Sequence, residues 1–292
     1  MNGKCRLCRS EGKLEVSHFI PKFVGKWLKK TSITGFLRES NEVQKRAQDL
    51  AKEYWLCSDC EDLFSVWETH FANKIFHPFV NKGQSEAYYQ EWMSRFCASL
   101  SWRTLTFIRS KNTFENDPDD YVQALEKAEN HLAKFLLGQE YNLNQYEQHF
   151  FPLEKIESTT QKGLPPNINR YFLRTPAMDI IGNSKDIYIY TKLPSFIILG
   201  FIRVSKSNKM RSSRIALKSG KISPREYWWP DGFIDYIVEK TNQVAEIYKQ
   251  IPKNQKEKFE EYIRKNPDKA LESKLFEAFL HDYSQFGGDV FR

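Results

Sequence analysis

The sequence has no run of eighteen or more apolar residues, which excludes a helix able to cross a bilayer. It also lacks a Gly-rich phosphate loop, a Gly-x-Ser-x-Gly elbow and a dinucleotide-binding glycine fingerprint, so the common nucleotide-dependent and Ser-His-Asp hydrolase classes are set aside. No internal repeat is visible. The opening Met-Asn-Gly-Lys-Cys-Arg has no apolar core of a secretory signal, and the expectation is a cytoplasmic protein. Histidine is scarce, with six in 292 residues, so each one near a metal-binding pattern matters.

Aromatic residues are abundant, with 22 Phe, 14 Tyr and 7 Trp, and buried rings are expected to carry much of the packing. A 40% hydrophobic and 28% charged composition is that of a globular chain, long enough for one large or two ordinary domains. Lys and Arg number 44 against 37 Asp and Glu, a net charge of +7. The excess is concentrated. Twelve basic residues face five acidic ones between Lys4 and Lys52, and eight basic residues with no acid lie between Arg203 and Arg225. Two basic zones suit a polyanion; solubility is the plainer explanation of either zone alone.

Four of the five cysteines form two pairs, Cys5-x-x-Cys8 and Cys57-x-x-Cys60. Without a secretory signal, thiolate ligation is preferred to disulfides, and two such turns complete the S₄ shell of a structural Zn²⁺. Cys97 lies in an apolar helical pattern and reads as a buried free thiol. Between the pairs, Leu14, Val16 and His18 alternate as one face of a strand that Pro21 ends. After the second pair, Leu63, Phe64, Trp67, Phe71 and Ile75 recur at helical spacing.

The stretch CRLCRSEGKLEVSHFIPK, followed by YWLCSDC and a helix, resembles the HNH (ββα-metal) nucleases, in the branch stapled by paired C-x-x-C knuckles. The resemblance covers about Cys5 to Pro78 and implies a nucleic-acid phosphodiesterase, with DNA favoured over RNA. It implies His18 as the general base for water, and a catalytic Mg²⁺ or Mn²⁺ at the scissile phosphate. Glu61, or Asp62, is the candidate carboxylate for that cation. Ser17 stands where the family commonly has a ligating Asp or His, and no clear counterpart of its middle Asn precedes the second pair.

Lys22, Lys26, Lys29 and Lys30 follow helical spacing with Trp27 on the packed side, a basic stripe suited to phosphates. Arg203, Lys206, Lys209, Arg211, Arg214 and Lys218 follow the most apolar segment and suit a nucleic-acid backbone equally. Tyr227-Trp228-Trp229 reads as core more readily than as a base-stacking platform. Helices are expected over Glu86–Arg109, Pro118–Leu137, Phe233–Gln250, Gln255–Lys265 and Pro267–Tyr283. Strands are expected over Tyr171–Arg174, Asp186–Tyr190 and Phe196–Ile202, with turns at Asn183-Ser184 and Leu193-Pro194-Ser195.

The expected fold class is α+β: a zinc-stapled ββα-metal-like module over residues 1–84, then an α+β domain over 85–292 with an antiparallel sheet flanked by helices. The leading functional expectation is a metal-dependent endonuclease, by analogy one that acts in bacterial defence, with a protein partner a further possibility for residues 85–292 and no membrane. The alternatives are a nucleic-acid-binding module whose nuclease site has decayed, and a protein-interaction scaffold using zinc only to fold.

Overall fold

A computed structural model describes residues 1–38, 46, 47 and 49–291. β1 (Asn2–Lys4) and β2 (Glu11–Lys13) form a short hairpin around the first cysteine pair. β3 (Glu15–His18) leads into α1 (Lys22–Lys30), which buries Val24, Trp27 and Leu28 at the i, i+3, i+4 spacing and leaves its lysines on the other side. After β4 (Leu37–Arg38) and β5 (Arg46–Ala47), β6 (Lys52–Leu56) returns antiparallel to β3 and feeds α2 (Ser58–Phe71). The helix continues through a π-helical turn, Ala72–Phe76, into α3 (His77–Lys82), where Gly83 in the left-handed region stops it.

β7 (Ala87–Gln90), α4 (Trp92–Lys111) and α5 (Asp119–Leu136) follow, then β8 (Gln148–Pro152), α6 (Ile168–Arg174), β9 (Ala177–Gly182), β10 (Ile187–Leu193) and β11 (Phe196–Arg203). A 3₁₀ turn, Ser207–Ser213, precedes β12 (Ser219–Ile222), which pairs with β7. The chain ends in α7 (Phe233–Lys249), α8 (Lys253–Lys265), α9 (Pro267–Leu271) and α10 (Lys274–Phe286). The fold is α+β, and no helix among the described residues is long and apolar enough to cross a membrane.

The main sheet has the order β8-β11-β10-β9, antiparallel throughout. Alternation along its two central strands divides the interior. Ile187, Ile189, Phe196, Ile198 and Ile202 join a cluster with α4, while Tyr188, Tyr190, Ile197, Leu199 and Phe201 join a second one with α6 and α7. The first cluster also takes in Phe19, Trp55, Phe64 and Phe71, so α4 lies between the cysteine-bearing segment and the sheet and is buried nearly all round. Gly200 permits that approach: a Cβ there would lie 2.9 Å from Cβ of Ser101 on α4.

Lys192 is fully buried in β10. Its Nζ donates to the carbonyls of Phe172 (2.8 Å) and Thr175 (2.7 Å) at the C-terminal end of α6, and burial pushes its pKa well below the ordinary lysine value.

Four expectations about local structure change. Tyr171–Arg174 is helix, not strand. Buried Asp282 of α10 accepts the backbone N–H groups of Asn169 (2.7 Å) and Arg170 (3.2 Å) and so satisfies the start of α6. The helix expected from Glu86 starts only at Trp92, because Ala87–Gln90 pairs with β12 and the Tyr89 hydroxyl accepts the N–H of Ala216. The last helix is interrupted by Ser273, whose hydroxyl caps α10 through the Phe276 N–H. An irregular register between Glu15 and Val16 breaks the alternation of Leu14, Val16 and His18: Leu14 is buried and Val16 exposed. Tyr227 and Trp229 pack on Phe151 and are partly buried at the margin of the second cluster.

Candidate metal centre and hydrolytic site

The cysteine pairs are brought together by two local turns and one sheet. In the first, Arg9 adopts φ 65° and donates its N–H to the carbonyl of Cys5, while Cys5 donates to Ser10. Arg6 N–H donates to the Trp55 carbonyl of β6, which fastens this turn to the strand that delivers Cys57. Cys57 precedes the first turn of α2, and Cys60 lies within that turn.

The four Sγ atoms of Cys5, Cys8, Cys57 and Cys60 all lie within 4.8 Å of one another, with Cys8 and Cys57 at 3.6 Å. Tetrahedral thiolates about 2.3 Å from a metal are separated by about 3.8 Å, so the donor set and its spacing fit an enclosed ion. Among the described residues this is the only group of three or more His, Cys, Asp or Glu side chains so gathered. Burial and the neighbouring sulfurs push the Cys60 thiol up, while hydrogen bonds from Ser10 overcome burial and hold Cys8 down at about 6.

His18 closes β3, and its Nε2 lies 2.8 Å from Oδ2 of Asp49. Asp49 also accepts from Lys52 Nζ at 3.0 Å and from the Leu50 N–H. Burial opposes the Asp49 charge, but the bonds from His18 and Lys52 prevail and hold its carboxyl well below the usual range. With Nε2–H given to Asp49, the basic lone pair is on Nδ1. The His18 side chain retains 11% exposure.

Glu61, in the first turn of α2, hydrogen-bonds with the hydroxyl of Ser17; burial raises its pKa against that bond and the nearby charge of Arg103. Arg103 reaches in from α4. Its guanidinium donates to the carbonyl of His18 (2.9 Å) and pairs with Glu68 (2.8 Å), and it is 4% exposed. Ser17 is buried, its oxygen accepting the Leu56 N–H at 3.2 Å.

Glu61 therefore stands with His18, whereas Asp62 is exposed. The residues beside His18 do not make a ready Mg²⁺ or Mn²⁺ site, since such ions take several oxygen ligands and here a fixed guanidinium already faces the carboxylates.

On α1, Lys22, Lys26 and Lys30 are exposed and Lys29 is half-buried, in a stripe that begins four residues after His18. The second basic set has other partners: Arg203 with Asp120, Lys206 with Asp231, Arg214 with Glu147, Arg211 with Asn208, and Lys209 over Trp228, while Lys218 is exposed. His70 stacks on Trp92, apart from His77, which lies against Phe23 and Asn81.

Sequence reasoning missed Asp49, Glu68 and Arg103. Only Arg103 carried a signal, as a charge inside an otherwise apolar helical stretch. No family model, no curated protein and no solved structure matches the chain.

Proposed function

We propose that the chain is a nucleic-acid phosphodiesterase of the HNH type, an endonuclease acting first on DNA, folded around one structural Zn²⁺ held by Cys5, Cys8, Cys57 and Cys60. The observation that carries this reading is the junction of β3, β6 and α2: a strand-end imidazole, held by a carboxylate, beside the mouth of a helix fastened by four gathered sulfurs. In that arrangement Nδ1 of His18 takes a proton from the attacking water, and Asp49 stabilises the imidazolium that results. The lysines of α1 offer positive charge for phosphates immediately after that strand. The proposed setting is cytoplasmic, and defence against foreign DNA remains an analogy drawn from the family resemblance.

A second reading, a zinc-dependent nucleic-acid-binding module without cleavage, is favoured by Arg103, which neutralises the carboxylates where the family places a cation. Incubating plasmid DNA with purified protein and Mg²⁺ or Mn²⁺, beside His18→Ala, separates the two. Cleavage lost in the variant supports the enzyme. Salt-sensitive retardation without cleavage supports the binding module. Equal cleavage by both proteins rules out His18 as the base.

A further inference from the structure

α1 and α3 face one another across a cleft of about 490 Å³ that none of the hydrolytic residues lines. Phe23 and Trp27 supply its apolar wall, and His77 and Asn81, one turn apart on α3, stand opposite. Trp27 Nε1 donates to Oδ1 of Asn81 at 2.9 Å, and the Asn81 amide lies 3.5 Å from Nδ1 of His77, so the polar side of the cleft is ordered. Burial, with the charge of Lys30, lowers the His77 pKa and so favours the neutral ring. Thr31 completes the lining together with two lysines, Lys26 and Lys30. Both are exposed, neither has an acidic partner among the described residues, and no carboxylate lines the cleft. A π-helical turn lies directly before His77, a feature often found where a helix serves a site.

Aromatic rings, neutral hydrogen-bonding groups and two free cations are together complementary to one chemical unit: a planar heterocycle joined to phosphates. We propose that this cleft holds one unpaired nucleotide of a nucleic acid, its base against Phe23 and His77 and its flanking phosphates on Lys26 and Lys30. The inference rests on the reading that the chain acts on nucleic acid, and it narrows the substrate to strands that can offer an unstacked base. α1 spans about 13 Å from Lys22 to Lys30, so a strand held there passes within two to three helical turns of the end of β3.

The test is equilibrium binding, without added divalent cation, of a short thymidine strand and of an abasic strand with the same number of phosphates, followed by fluorescence anisotropy. The wild-type protein is expected to hold the thymidine strand about ten-fold more tightly. His77→Ala and Phe23→Ala should abolish that preference and leave affinity for the abasic strand unchanged. Lys26→Glu with Lys30→Glu should weaken both strands and flatten the salt dependence. Because Phe23 also packs on Phe76, His77→Ala carries the comparison if Phe23→Ala fails to fold.

Equal wild-type affinity for the two strands, or a preference that survives His77→Ala, overturns the nucleotide site. Failure to bind either strand likewise overturns the nucleotide site, whereas the nucleic-acid reading itself falls only if plasmid DNA is neither retarded nor cleaved. An absence of plasmid cleavage bears on the hydrolytic reading alone.

Discussion

Asp49 Oδ2 lies 2.8 Å from Nε2 of His18, a contact between residues thirty-one positions apart that fixes which imidazole nitrogen is basic. The same carboxylate receives Lys52, so a residue of β6 helps fix the orientation of a residue of β3.

Asp49→Asn is expected to lower cleavage by about ten-fold or more, because the amide no longer stabilises the charged ring. The pair also has a pH signature. Folding lowers the Asp49 pKa, so its contribution to stability is full above the unfolded value of about 3.9 and is lost as pH falls through the lower folded value. The stability difference between wild type and Asp49→Asn should therefore shrink below about pH 4. A difference that stays constant across that range would contradict the ion pair.

One zinc per chain is expected by elemental analysis, and none in Cys60→Ser, whose sulfur is among the least exposed of the four. A thiolate site of this kind contributes about 10–16 kcal/mol of apparent folding free energy in small zinc units. Strong chelators should therefore unfold β1 to α2 first, as followed by proteolysis. A melting temperature unmoved by chelation would exclude the structural role.

Arg103→Met should destabilise the protein by about 3 kcal/mol, since it leaves Glu68 without its partner and the His18 carbonyl without a donor. Adding Glu68→Gln should recover part of that loss. Strictly additive effects in denaturant titrations would mean that the two side chains do not interact.

Gly200→Ala should cost about 1–3 kcal/mol, because the added methyl meets Ser101 on a helix pinned from its other side by Trp55 and Phe64. Pairing Gly200→Ala with Ser101→Gly tests the cause directly. The second substitution removes the obstructing atoms and should restore much of the midpoint.

Some features could be read from local pattern because local physics decides them. A C-x-x-C pair closes on itself, an apolar i, i+3, i+4 series makes a helix with one buried side, and Pro194-Ser195 between β-branched runs makes a two-residue hairpin. The two cysteine turns, the helix after Cys57, the lysine stripe of α1 and the antiparallel β10–β11 pair all belong to this class. The place of Glu61 in the first turn of α2 was legible for the same reason, but not the guanidinium of Arg103 near it.

What lay outside local pattern involves partners far along the chain. Tyr171–Arg174 has strand-like composition, yet it lies in α6, whose opening N–H groups, those of Asn169 and Arg170, are satisfied by Asp282, more than a hundred residues later. Lys192 sits in one of the most apolar strands, where burial pushes its pKa well down, and two carbonyls at the end of α6 accept from its Nζ.

By itself, then, the amino-acid order determined the metal-ligand frame, the helix faces and the α+β class, since propensity, spacing and side-chain chemistry act over a few residues. Tertiary packing alone decided that Asp49 would hold His18, that Arg103 would enter the carboxylate pair, and that α1 and α3 would leave a cleft between them. Those outcomes depend on the directions in which distant segments approach, and such directions are set by how the whole core closes around α4.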